Sequence, residues 1–190
     1  MPPIAVYLRD EHAGAKDSQQ KALLLHELGV VEERAGDEMA AAREFLASFN
    51  SYPQFREPLE GLVRLLERRK SIKNLPKLLD ALLRAAESPV EKARAHFKRA
   101  AFSIDFQKDD AAARVSLLSA TTERPVDAIA WLELEVLAGR IADPALRVQA
   151  LEARSKLEKN PTWRALLLMS LADVLAKQGE GEQATRLLET

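Results

Sequence analysis

His12, His26 and His96 are the side chains whose ordinary pKa would let them exchange protons near neutrality, and their spacing does not make them a metal site. His26-Glu27 comes nearest to the helical zinc-peptidase pattern. It is followed by Leu28, Gly29 and Val30 rather than by the second histidine one turn on. The neighbouring acids Glu32-Glu33 and Asp109-Asp110 point in different directions if they lie on helices, so adjacency alone does not make a general acid and base. Helix caps and solvated surface account for them. Gly29, Gly36, Gly139, Gly179 and Gly181 are scattered rather than gathered into a loop that could cradle phosphate. With no cysteine, thiolate catalysis, disulfides and cysteine-held metals are excluded, and the serines lack a recognisable base in context. The residues that could do chemistry therefore predict no catalytic centre, no metal and no cofactor.

The chain has 190 residues, 47% of them hydrophobic and 30% charged, a balance that favours folding over disorder. Twenty-eight Lys and Arg oppose twenty-nine Asp and Glu for a net charge of −1, so no global field draws in nucleic acid or an anionic membrane. Apolar runs such as Ala22 to Leu25 and Ala165 to Met169 are far too short to span a bilayer, which takes about 18 residues or more. The start, MPPIAVYLRDEHAG, has neither a basic leader nor an uninterrupted apolar stretch, so the expected location is cytoplasmic, with no membrane insertion.

The elements that would position any site repeat along the chain. Residues 22–46, ALLLHELGVVEERAGDEMAAAREFL, overlay residues 165–189, ALLLMSLADVLAKQGEGEQATRLLE, with breaks and apolar positions in step. Each reads as a helix, a turn at Gly36-Asp37 or Gly179-Glu180, and a second helix opening on small residues. Leu25, Leu28 and Glu32, like Leu168, Leu171 and Leu175, recur at helical spacing, while Gly29 and Ala172 allow the paired helix to approach closely. Ala41 with Phe45, and Ala184 with Leu188, supply the facing side.

These residues resemble the tetratricopeptide repeat, an antiparallel helix pair of about 34 residues. Leu25, Leu28-Gly29, Ala41, Phe45, Ser48 and Pro53 take the family's positions, with Glu32 standing where an aromatic is usual. A shift of 34 residues brings Leu59, Leu62-Val63, Leu66, Leu75, Leu79 and Leu82 onto the same scaffold. There Pro76 argues against a helix beginning after Ser71 and for one opening at Leu75 behind an Asn74 cap. Ser88, Pro89 and Glu91 predict a capping box for a helix to about Gln107, on which Phe97, Ala100-Ala101 and Ile104 pack, followed by a second helix with Ala113 and Leu117. A fourth pair opens near Pro125 and ends its first helix at Gly139-Arg140. Ile129, Leu132 and Val136 are its expected packing face, and Trp131 covers its side. Its second helix starts at Asp143-Pro144 with Leu146, Ala150, Ala153 and Leu157 as the seam, and the next break is Asn160-Pro161.

The resemblance implies an all-α, right-handed superhelix of about five hairpins over residues 20–190, which either ends naturally or belongs to a longer array; residues 1–19 are a loose lead-in or a short helix around Ile4 to His12. It also implies a non-catalytic scaffold that binds a protein or peptide on a concave face lined by the first helix of each pair. The matching positions here include His26, Val30 and Arg34, then Arg64 and Arg68, then Lys98, Phe102 and Phe106. Phe102 and Phe106 either anchor a peptide or complete contacts between repeats. Residues 64–99 hold eleven basic and four acidic side chains, a surplus of +7 by subtraction, which could attract an acidic protein surface. Phosphate-dependent nucleic-acid binding ranks behind protein binding, because no base-reading motif accompanies the charge. A structural spacer or self-associating platform is the other alternative.

Overall fold

The computed structural model describes residues 3–70 and 73–189, and the chain divides into two compact units, Met1–Glu87 and Ser88–Thr190. All regular structure among the described residues is helical. The first unit holds α1 (Pro3–Gly14), α2 (Ser18–Arg34), α3 (Glu38–Ser51), α4 (Glu57–Arg68) and α5 (Leu75–Arg84). The second holds α6 (Pro89–Phe102), which continues as a π-helical turn over Ser103–Gln107, then α7 (Asp110–Glu123), α8 (Ala128–Arg140), α9 (Pro144–Leu157), α10 (Pro161–Lys177) and α11 (Gly181–Leu188). Helices α2 to α11 pair in order as five hairpins. No helix among the described residues is long and apolar enough to cross a membrane.

Local chemistry sets where the helices start. Asp17, Asp37, Asp109, Asp143 and Asn160 each accept a backbone N–H of the first turn at 2.9 Å, and Ser88 and Glu91 complete a reciprocal capping box. Asp127 caps α8, so the fourth hairpin opens three residues beyond Pro125. Asn74 precedes α5 as expected, although its side chain makes no capping bond, and a start at Ser71 lies outside the described residues. The turns within the hairpins share one device. A residue with positive φ reverses the chain, and the next N–H returns to a carbonyl near the end of the first helix: Gly36, Ala142 and Gly179, followed by Asp37 N–H to Glu32, Asp143 N–H to Ala138 and Glu180 N–H to Leu175. Lys108 takes the same left-handed conformation before α7.

In the first unit Phe45 of α3 is fully buried between two helices that both present glycine to it. A Cβ placed on Gly29 of α2 or on Gly61 of α4 would stand 2.7 Å or 2.8 Å from the ring, so the absence of side chains there lets α2, α3 and α4 close on one aromatic. The expected contact at Gly29 is present, and Gly61 adds a second wall. Ser48 ties the same seam by donating its hydroxyl to the Ala22 carbonyl at 2.6 Å. Glu32, in the place of the usual aromatic, is buried and accepts a hydrogen bond from Arg9 of α1 at 2.8 Å. Helix α1 thus pairs a charge that burial would otherwise penalise.

The second unit corrects the expected packing of α8. Ile129, Leu132 and Val136 are 63%, 40% and 58% exposed, while Ala130 is buried and Trp131, Leu134, Leu137 and Ala138 share a core with Ala113, Leu117, Leu146 and Ala150. The helix is apolar almost all round, so two stripes fit the helical period equally. The stripe that carries Trp131 wins because that ring fills the core and donates its N–H to the Pro125 carbonyl at 2.8 Å. Leu188 also departs from expectation. It is 59% exposed, because one side of α11 is uncovered where Phe45 has α4.

Alanine at Gly29 or Gly61 should lower the stability of the first unit by about 1–3 kcal/mol through overpacking, despite the roughly 1 kcal/mol of helix propensity that alanine gains over glycine. Gly139→Ala in α8 meets nothing within 4 Å and should stabilise instead. Thermal unfolding of the three variants checks the sign reversal, and Gly61→Ala on a Phe45→Leu background should lose its penalty. Phe45→Ala or Leu28→Ala should cost about 2–5 kcal/mol, read from denaturant unfolding.

Candidate functional site

Each helix that opens a hairpin turns one stripe into the seam and another away from it. On α2 the seam residues Leu25, Leu28, Gly29 and Glu32 are buried, and the other stripe carries His26, Val30 and Arg34. His26 and Val30 are half-buried and Arg34 is exposed. The His26 ring lies against Phe45 at 5.5 Å and meets Phe55 edge-on at 5.2 Å between centroids, leaving Nδ1 buried with no hydrogen-bond partner. Burial is the main cause that lowers its pKa below the ordinary 6.5, and Arg64 acts the same way, against the opposing carboxylates Glu27 and Glu57.

Arg64 and Arg68, expected to meet a partner, already hold carboxylates of their own unit. Arg64 donates to both oxygens of Glu33, at 3.1 Å and 2.5 Å. Arg68 reaches Glu33 at 2.8 Å and Glu38 at 3.0 Å, and Arg69 reaches Glu38 at 2.7 Å. The network clamps the end of α4 to the turn between α2 and α3. Its hydrogen bonds, led by that from Arg64, hold Glu33 below the usual carboxylate range, and Glu33 in return raises Arg64. Part of the positive surplus read from residues 64–99, at Arg64, Arg68 and Arg69, is therefore met by Glu33 and Glu38, which lie outside that stretch.

In the second unit Lys98, Phe102 and Phe106 sit along α6 and its π-helical extension. Phe102 is buried and stacked on the half-buried Phe106 at 5.6 Å, so its ring backs Phe106. Lys98 is half-buried and makes no side-chain ion pair among the described residues. The larger apolar surface lies on the next two hairpins. Helix α8 exposes Ile129, Leu132 and Val136, and α10 exposes Trp163, Leu166 and Met169 at 61%, 47% and 59%. A shift of 37 residues lays Leu134 on Leu171, both buried in the seams, and the same shift lays Ile129 on Leu166 and Leu132 on Met169. Helix α9 packs against both α8 and α10, so the two stripes occupy equivalent positions on successive repeats. Sequence reasoning assigned Ile129, Leu132 and Val136 to the packing face and did not single out Trp163, Leu166 or Met169. The signal that could have found them was the second apolar stripe of α8, left over once Trp131 is committed to the core.

No protein-family model matches the sequence, and no curated protein matches it. Among solved structures the chain is similar to the MamA protein, with a TM-score of 0.61, 15% identity and 88% of each chain covered. YrrB, described as a TPR protein with an unusual peptide-binding site, gives a TM-score of 0.59 at 11% identity over 88% of this chain and 83% of that one. The fold is tetratricopeptide-like. PilF of Pseudomonas aeruginosa gives 0.58 at 18% identity over 88% and 75% of the two chains. At these identities the likeness is one of fold, and it agrees with the tetratricopeptide-like positions of Leu25, Leu28, Gly29, Ala41, Phe45 and Ser48, all buried here. Among the described residues no group of three or more His, Asp or Glu side chains is placed to hold a metal ion.

The lowered pKa of His26 fixes the sign of a pH effect. The unfolded imidazole takes up its proton at a higher pH than the folded one, so stability is level above about pH 7 and falls as pH drops through about 6.5. His96 adds in the same direction in the second unit, through burial and then Arg99, opposed by Glu123. His26→Phe should therefore flatten only part of the loss, seen by comparing denaturant midpoints at about pH 5.5 and about pH 7.5.

Proposed function

We propose that this protein is a non-catalytic interaction module that engages an apolar segment of a peptide or protein through the first helices of the hairpins in its second unit. The observation that supports the reading most is the paired stripe of Ile129, Leu132 and Val136 with Trp163, Leu166 and Met169. Six large apolar side chains, with Ile129 and Leu132 at positions equivalent to Leu166 and Met169 of the next repeat and none of the six needed for the seams, form the kind of surface on which buried anchors supply binding energy. Helices pinned by caps and seams hold the stripe in place before binding, which limits the ordering cost that would otherwise reduce affinity. YrrB, of similar fold, is described as having a peptide-binding site, and that precedent favours a peptide over a folded surface.

A random peptide library displayed against the whole chain tests this directly. Apolar sequences should be enriched, and Ile129→Ser combined with Val136→Ser should weaken their binding by about tenfold or more with the melting temperature kept. If no sequence is enriched and sedimentation instead shows mass rising with concentration, the stripe joins copies of the chain and the peptide reading fails.

A further inference from the structure

Beside the α8 stripe, within the second unit, lies a cleft of about 210 Å³ bounded by Phe97, Ala100, Ala101 and Ile104 of α6 and its extension, Leu117 of α7, and two carboxylates, Asp105 and Glu133. Its volume is below the roughly 300–1,000 Å³ typical of small-molecule sites and suits a single inserted side chain. Its floor is hydrocarbon: Ala100 and Leu117 are buried, and Phe97 and Ile104 pack against the same core.

The two acids differ from the other charges around them. In this unit Asp110 holds Arg140, Asp143 holds Arg114 at 3.2 Å, Glu135 holds Arg154, and Asp173 holds Lys177 at 2.6 Å. Among the described residues Asp105 and Glu133 have no ion pair, and both reach solvent. Lys98 stands two turns before Asp105 on α6 and Lys108 three residues after it, and neither forms an ion pair with Asp105 or Glu133 among the described residues. Glu133 follows Leu132 directly and lies one turn from Ile129 and Val136, which places the cleft alongside the exposed apolar stripe.

We propose that this cleft is a specificity pocket for one lysine or arginine of the bound peptide. The inference rests on the peptide-binding reading above and names the chemistry of its partner: an apolar segment interrupted by a basic residue. The aliphatic stem of that residue lies on Phe97, Ile104 and Leu117, while its charged end meets Asp105 and Glu133 at the mouth. Lys and Arg suit this pairing because their stems bury readily while their heads stay near water. A neutral aliphatic side chain would leave both carboxylates without a counter-charge, so it gains less from the site than Lys or Arg.

The test compares display selections on the wild-type chain and on an Asp105→Lys, Glu133→Lys variant whose helicity and melting temperature match the wild type. Wild type should enrich peptides with Lys or Arg at a fixed distance from apolar residues, and the variant should enrich Asp or Glu there. In anisotropy titrations of a selected peptide, replacing its basic residue by norleucine should weaken binding by about tenfold, and Glu133→Gln should reproduce most of that loss. If apolar peptides bind and depend on Ile129 and Val136 while the consensus is the same on both chains, or lacks a basic residue, the pocket assignment is overturned and the apolar surface stands. Should the charge-reversed chain not fold, the norleucine and Glu133→Gln titrations decide alone, with unchanged affinity overturning the pocket. Absence of any enriched peptide overturns both.

Discussion

Phe45 can be buried only because two neighbouring helices offer it backbone instead of side chain. With glycine at positions 29 and 61, its ring sets the distance between α2, α3 and α4 at once, and the order of the first unit follows from that spacing. The second unit meets the same demand with other residues. Leu151 of α9 is fully buried against Leu171 and Ala172 of α10, a small residue again standing where the neighbouring helix must come close. Within each unit one hairpin is thus half of a joint completed by its neighbour, and its packing stripe is committed before any surface is available for binding.

That commitment explains what could and could not be read from the residues. Caps and turns were legible because their chemistry is local: Ser88 with Glu91, Asp143 before Pro144, and Gly36 and Gly179 at matching turns all act within a few positions. The seam of α2 and α3 was legible because leucine, glycine and phenylalanine leave one arrangement. Helix α8 was not, since apolar residues on nearly every side give the period no preferred phase, and only tertiary placement of Trp131 separates core from surface. Gly61 escaped because shifting the first repeat by 34 residues sets Val63, two residues away, opposite Gly29. The arginines of α4 looked available because their carboxylates, Glu33 and Glu38, lie about 30 residues earlier in the chain.

The two units consequently divide their chemistry. In the first, the stripe outside the seam is dominated by charge that largely satisfies itself, and exposed pairs of this kind orient side chains more than they stabilise. In the second, α8 and α10 carry large exposed apolar groups, and several nearby charges, such as Glu135 with Arg154 and Asp143 with Arg114, are paired. The contrast assigns the surface with unmet interactions to α8 and α10 rather than to the arginines that composition alone brings forward. It also shows why a charge surplus counted along a sequence is a poor guide to a binding face: the compensating groups came from another helix.

Both tryptophans fall in the second unit, Trp131 held in the core and Trp163 on the surface. Ultraviolet excitation chosen for indole therefore leaves the first unit dark and yields two emitters of opposite polarity from the second. The shielded indole emits toward the blue and the hydrated one toward the red, so the molecule carries an internal optical label that distinguishes core loosening from a change at the surface without any added dye.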